Sequence, residues 1–397
     1  MPLLVLKFGG TSLGNIERIK HVASLIHQIK QQGNTLAIVV SAMAGSTNNI
    51  LSLCTDLVKT KTLEKAAEID NALSTGETLS ASLLSIALME SGLKSIALGA
   101  WQIGIFSDNS YNNAKIVKFE ANIIKEYINK DIIPIITGFQ AISNEGRIST
   151  IGRGGSDTTA SFVAAALNAD SCDIYTDVEG IYTLDPRLSD KAAIIPCISF
   201  EEVLELAGSG AKVLHPRCVE ICMRYQIPLR IFSSFTNKSG TIIMNQVNET
   251  KKITGISYQK NLVFIRVPDI YNIIELFSNL NSRNITIIYF EINDSYGLKL
   301  VISEEQVDGV ISILNIMNLC YTQDIDVSSI TVVGACIRND LNIVTKILKI
   351  LKNGNKNILS TSNSEIKFTI FCKEEDSLGL IKQLHHELIE YKHENKI

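Results

Sequence analysis

Four side chains and three small-residue turns in this 397-residue chain have the types and spacing for phosphate and amino-acid chemistry. Gly152-Arg153-Gly154-Gly155-Ser156-Asp157 runs straight into an alanine-rich helical stretch, Thr158 to Ala169. Closely spaced glycines let backbone amides close on an anion without Cβ obstruction, and Ser156-Asp157 are expected to cap a helix whose N-terminus favours negative charge. A glycine turn before a helix can equally be punctuation. Arg153 tips the reading, because a guanidinium set between exposed glycines suits bidentate capture of a carboxylate or phosphate.

Lys7 closes the apolar segment Leu3 to Phe8, with Gly9-Gly10-Thr11-Ser12 following at once. A lysine at the carboxyl end of a buried parallel strand sits where open α/β sheets bind ligands, so Lys7 can clamp a phosphate; otherwise it is a snorkelling strand-end lysine. The spacing is not that of a Walker A loop. Ser41 and Thr47 lie in the loop after a second buried segment, Thr35 to Val40, placed to hold a carboxylate or simply to turn and cap the chain. Glu77 follows Ser74-Thr75-Gly76 in an apolar stretch, where a carboxylate is costly unless a cation pairs with it. The alternative places Glu77 in the first turn of a new helix after a break at Gly76. From Thr176 to Arg187 one turn offers Asp177, Tyr182 and Arg187, the inventory that holds a base, a ribose and phosphates, though each could be surface decoration.

The elements that must position these groups alternate. Strand-like runs at 95–98, 103–107, 132–136 and 171–176 are separated by helical patterns at 15–31, 49–60, 63–91 and 114–130, and a hairpin over 139–151 delivers the chain to Gly152. This alternation predicts a three-layer α/β domain with a mostly parallel sheet. Gly208-Ser209-Gly210 is expected to open a helix running to Tyr225, without the βαβ setting of a dinucleotide fingerprint. Beyond Ile253 a strand-helix-strand-strand-helix unit occurs twice without any cluster of acids, bases or nucleophiles, which suits regulation or assembly. The expected domains are 1–245 and 253–397, the second with two α+β units near 265–320 and 329–397.

Bulk properties agree. The chain is 46% hydrophobic with a formal net charge of −4 and scattered basic residues, giving no nucleic-acid footprint. No apolar run is read as membrane-spanning and the N-terminus lacks signal-peptide order, so a cytoplasmic protein without a membrane partner is expected. The eight cysteines are expected as reduced core thiols, and His215, Cys218 and Cys222, although spaced as helical neighbours, lack further metal ligands.

The ordered set Lys7-Phe8-Gly9-Gly10-Thr11-Ser12, Val40-Ser41-Ala42-Met43 with Thr47-Asn48, Gly152 to Asp157, Thr176-Asp177 with Gly180-Ile181-Tyr182-Thr183, Asp185-Pro186-Arg187 and Gly210-Ala211-Lys212-Val213-Leu214-His215-Pro216 resembles that of the monofunctional aspartokinases. The likeness covers nearly the whole chain, makes 1–245 the catalytic domain, and extends to the C-terminal repeat, which resembles tandem ACT domains of βαββαβ type, one unit inserted in the other. It implies transfer of the γ-phosphoryl group of ATP, with Mg2+, to the side-chain carboxylate of L-aspartate. It further implies that Lys7 bridges the transferring group with Asp157 orienting it, that Gly9, Gly10, Gly154 and Gly155 cradle phosphate, and that Thr176, Asp177, Tyr182, Arg187 and Lys212 bind ATP. Ser41, Thr47, Glu77 and Arg153 would bind aspartate, Glu77 its ammonium and Arg153 its α-carboxylate. A homodimer through the ACT units and inhibition by lysine or threonine are further implications. Ile270-Tyr271 and Asp340-Leu341 stand where the family has Pro-Gly, which bears on the effector pocket. The rival readings are a kinase for another acid such as glutamate or acetylglutamate, a non-catalytic ACT sensor, and an NAD-dependent oxidoreductase.

Overall fold

The computed structural model describes residues 1–60, 62–211, 213–236, 238–245, 253–268, 271–293, 296–335, 337–353 and 356–390. The chain forms two compact units. One comprises Met1–Tyr182, Ile194–Ala207 and Lys212–Asn248; the other comprises Thr183–Ala193, Gly208–Ala211 and Glu249–Ile397.

The first unit is built on an eight-stranded sheet in the order Cys197–Ile198, Thr241–Ile243, Leu229–Ser233, Ser171–Thr176, Leu3–Phe8, Thr35–Val40, Ile133–Thr137, Ser95–Leu98. Every pairing is parallel except that of Leu229–Ser233 with Thr241–Ile243. The central strands are buried almost throughout, which is why they read as continuous apolar runs rather than alternating ones. Leu4, Leu6 and Phe8 share one core with Ile26 and Leu84. Lys7 alternates to the other face, where the helix Gly155–Leu167 lies. Because the strands run in register, Lys7 standing opposite Val39 and Ile174, their carboxyl ends emerge together and release the turns at Gly9, Ser41, Gly138 and Asp177 along one edge.

Three expectations need correction. Residues 114–130 are not one helix: Ile116–Phe119 is a strand, paired antiparallel with Ile105–Ser107 in a separate four-stranded sheet, and the helix is Asn122–Asn129. The β-branched Ile116 and Val117 suit that pairing better than a helix start. The break at Gly76 does not exist, since Leu63–Glu90 is one 28-residue helix. Gly76 serves close approach instead, because a Cβ there would stand 2.8 Å from Cβ of Ala42. Being continuous, this helix is long and apolar enough to cross a membrane by length and composition, but half of its most apolar stretch is buried in the unit and it carries buried Asp70 and Glu77. Finally, Gly208 ends a helix, Phe200–Gly208, and the next is Pro216–Tyr225, whose proline occupies the first turn where no amide partner is lost.

The second unit holds a six-stranded antiparallel sheet in the order Tyr289–Asn293, Gly297–Ser303, Gly255–Val267, Thr322–Val333, Lys367–Lys373, Ile358–Asn363. Its helices are Ile273–Ser282, Val307–Ile316, Leu341–Asn353 and Glu374–His385, so strand, helix, strand, strand, helix occurs twice, as in ACT-like domains. The pairing of Gly255–Val267 with Thr322–Val333 slips around Leu262, and Asn261 and Asp326 take left-handed backbone there. On one side of the slip Ile256 joins a core with Ile330, Phe368 and Leu380; on the other Val263 and Ile265 join Leu276, Leu300 and Val310.

Candidate active site

The strand Leu3–Phe8 and the helix Gly155–Leu167 bring Lys7 and Asp157 together: Nζ lies 2.6 Å from Oδ1, with both side chains largely buried. The helix starts at Gly155 with Gly154 as its cap, so Ser156 and Asp157 belong to its first turn rather than capping it. That shift aims the Asp157 carboxylate sideways at Lys7 and leaves the helix N-terminus open. Here an ammonium, a carboxylate and a helix dipole meet at the carboxyl edge of a parallel sheet, the setting for a phosphoryl group. The Gly9 N–H is committed to the Tyr175 carbonyl (3.0 Å) and the Gly155 N–H to that of Gly152 (3.0 Å). The Gly10 carbonyl accepts from Ala44 N–H at 3.1 Å, joining the first two turns.

The turn before the helix is held from several sides. Gly152 and Gly154 have φ of 77° and 66°, a region closed to most side chains, and a Cβ on Gly154 would also overlap the His215 side chain. Arg217 Nη1 donates to the Ile151 carbonyl at 3.1 Å, and Ile151 N–H donates to Phe139 O at 3.0 Å. Phe139 itself has φ of 69°, a strained conformation for a bulky residue, and its N–H donates to Thr159 Oγ1 at 3.1 Å. Arg153, at the apex, is exposed. The sequence reading gave Phe139 and Arg217 no role in the site, and named His215 only beside Cys218 and Cys222 and within the motif Gly210 to Pro216. His215 packs on the turn, where burial first and Arg217 second hold its imidazole below the usual range.

Glu77, 3% exposed, projects from the middle of the Leu63–Glu90 helix, which excludes the first-turn alternative. Its Oε1 accepts Ala42 N–H at 3.1 Å, while Oε2 is buried without a partner. Burial lifts this carboxyl from 4.5 to about 7, against the opposing hydrogen bond from Ala42. A buried carboxylate with one free oxygen is a receptor for an ammonium group. Ala42 lies in the loop that carries half-buried Ser41, whose N–H donates to Phe8 O at 3.1 Å; half-buried Thr47 opens the helix Ser46–Leu57.

After Ser171–Thr176 the chain presents half-buried Thr176, exposed Asp177 and Tyr182, whose hydroxyl donates to Glu179 at 2.8 Å; Lys238 binds the same oxygen at 2.8 Å. Arg187 belongs to the second unit, exposed and paired with Asp185 at 2.6 Å. Lys212, Ile270 and part of the 293–297 connection lie outside the described residues. Among the described residues no group of three or more His, Cys, Asp or Glu is placed to hold a metal ion. Cys172, Cys218 and Cys222 are free buried thiols, with Cys218 pushed well up by its hydrogen bond to Cys222 and by burial. Cys320, by contrast, is exposed.

The sequence model of the amino acid kinase family matches residues 2–233, and the chain belongs to that family. Aspartokinase of Rickettsia felis is 39% identical over 97% of this chain and 99% of its own length. Aspartokinase 2 of Bacillus subtilis is 34% identical over 97% of both. Within the family, then, the chain is a member of the aspartokinases. The fold agrees with E. coli aspartokinase III, solved with aspartate and ADP in an R-state, at a TM-score of 0.83 and 23% identity over 97% of this chain and 99% of that one. The same enzyme with lysine and aspartate, in a T-state, gives a TM-score of 0.78 at 23% identity, over 98% of this chain and 99% of that one.

Proposed function

We propose that the protein transfers the γ-phosphoryl group of ATP to the β-carboxylate of L-aspartate, giving 4-phospho-L-aspartate and ADP. The observation that carries this reading is the buried Lys7–Asp157 pair at the N-terminus of the glycine-turn helix. A β-carboxylate with an ordinary value of about 4 is already ionised, so no general base is required and catalysis rests on positioning and charge. A carboxylate oxygen bonds to the γ-phosphorus as the bond to the bridging oxygen breaks, and ADP departs with that electron pair. Lys7 neutralises the oxygens of the transferring group, Asp157 fixes the ammonium in place, and Gly9, Gly10, Gly154 and Gly155 allow phosphate to approach the backbone. Glu77 takes the substrate ammonium through Oε2, Arg153 takes the α-carboxylate, and Ser41 and Thr47 line the substrate. Thr176, Asp177, Tyr182 and Lys212 serve ATP, a role that the resemblance also implies for Arg187. With no carboxylate cluster among the described residues, Mg2+ would be held largely by the nucleotide's phosphate oxygens and water, Asp157 being placed to orient a bound water, and the ion would supply further charge neutralisation.

Catalysis is assigned to the first unit, within 1–245 but without Thr183–Ala193 and Gly208–Ala211, and the two ACT units near 265–320 and 329–397 to the second. A homodimer through these units is supported by Tyr289–Asn293, an edge strand that leaves Phe290 half exposed beside Ile274, 82% exposed. Lysine or threonine would act there as effector, and the lysine-bound T-state relative favours lysine. ATP and aspartate as substrates suit a cytoplasmic location. Formation of a hydroxylamine-trapped acyl phosphate from aspartate and ATP, lost in Lys7→Ala, tests the reading.

A further inference from the structure

Asp70 is the most deeply buried carboxylate near the site, fully shielded from solvent on the Leu63–Glu90 helix. No cation faces it. Its Oδ2 accepts the N–H groups of Thr150 (2.7 Å) and Asn112 (2.9 Å), and its Oδ1 accepts the Thr150 hydroxyl (2.7 Å). A buried carboxylate held by neutral donors is costly, so geometry rather than net stability explains its presence.

The donors it holds flank the glycine turn. Thr150 ends the strand Ile148–Thr150, three residues before Arg153, and its carbonyl accepts Ala114 N–H at 2.9 Å. Asn112 precedes Asn113, whose Oδ1 would lie 2.6 Å from a Cβ on Gly152. The strand that enters the turn and the segment packed against Gly152 are thus tied to one side chain. Glu77 lies seven residues further along the same helix, two turns and about 10 Å away on the same face.

We infer that Asp70 is a positioning residue for substrate recognition: it locks the turn bearing Arg153 to the helix bearing Glu77, so that the groups for the α-carboxylate and the α-ammonium stand at a fixed separation. This rests on the aspartate-kinase reading. Asp70 acts through Arg153, touches no substrate, and therefore sets aspartate affinity rather than ATP affinity.

The test is steady-state kinetics on the full chain, comparing wild type, Asp70→Ala, Asp70→Asn, Thr150→Val, Arg153→Ala and the Asp70→Ala/Arg153→Ala double variant. Losing a charged anchor should raise the KM for aspartate about tenfold or more in Asp70→Ala, with the KM for ATP changed less than about twofold. Asp70→Asn should stay within about threefold of wild type, because the amide oxygen can accept both N–H groups while its NH2 donates to the Thr150 hydroxyl. In the Arg153→Ala background, Asp70→Ala should add less than about twofold. If Asp70→Ala does not fold, Thr150→Val takes its place: a rise of about threefold in the aspartate KM, absorbed in the Arg153→Ala background, supports the inference. Effects that multiply with Arg153→Ala, or that fall equally on aspartate and ATP, overturn it, as does a Thr150→Val variant that replaces Asp70→Ala without changing the aspartate KM. A wild type inactive on aspartate overturns the kinase reading itself, whereas an active wild type with multiplying effects overturns only the role of Asp70.

Discussion

Replacing Glu77 with Gln should make the enzyme more stable and less able to hold aspartate, and the size of both effects follows from burial. The carboxyl is lifted from 4.5 to about 7, chiefly by desolvation. Between those values the unfolded chain gives up a proton that the folded chain retains, so rising pH removes stability; below 4.5 nothing is lost, and above 7 the loss is complete. At about 1.4 kcal/mol per pH unit the full loss is about 3 kcal/mol. Glutamine keeps an oxygen for Ala42 N–H and carries no charge. In the absence of substrates the variant should therefore match wild type near pH 4.5 and exceed it at pH 8 by roughly 6–12 °C in thermal midpoint, if the first unit melts as a unit of its size. The same ionisation governs binding, because only the carboxylate pairs with an ammonium. For wild type, kcat/KM for aspartate should fall about tenfold per pH unit below 7, while the variant should be flat and lower throughout. A stability difference that does not change between pH 4.5 and pH 8, or an unchanged aspartate KM in Glu77→Gln, would refute the reasoning.

Other consequences are simpler to check. Phe290→Asp should give a monomer by light scattering where wild type is a dimer, and a dimer that persists would move the interface elsewhere. In the native enzyme a thiol reagent should modify exposed Cys320 quickly and leave Cys172, Cys218 and Cys222 unmodified until denaturant is added. Arg187→Ala should raise the KM for ATP about tenfold if Arg187 serves the nucleotide, whereas no change would leave it only its pairing with Asp185.

The residues that were legible in sequence are those whose meaning is local. Lys7 beside Gly9-Gly10, and Asp157 after Gly154-Gly155, stand out because strand-end and helix-start chemistry is written in adjacent positions. The resemblance implied that Asp157 orients Lys7; the structure shows the means, the Gly155–Leu167 helix carrying Asp157 to 2.6 Å from the Lys7 ammonium. Gly76 misled because glycine signals a break by propensity, whereas here it admits Ala42, a contact 34 positions away. Ile116–Phe119 was invisible as a strand because its stability comes from pairing with Ile105–Ser107 rather than from its own pattern. Asp70 left a fainter trace: it falls on the buried stripe Ala67, Asp70, Ser74, Glu77, Ala81 and Leu84, where a carboxylate at helical spacing from Glu77 already needed an explanation.

The most direct test of the central claim is the reaction of L-aspartate, ATP and Mg2+ in hydroxylamine, comparing wild type with Lys7→Ala of confirmed fold. The account predicts aspartyl hydroxamate from wild type and a loss of at least about 100-fold in the variant, as expected when a charge aimed at the transferring group is removed. Full activity in Lys7→Ala, or no hydroxamate from folded wild type, would contradict it.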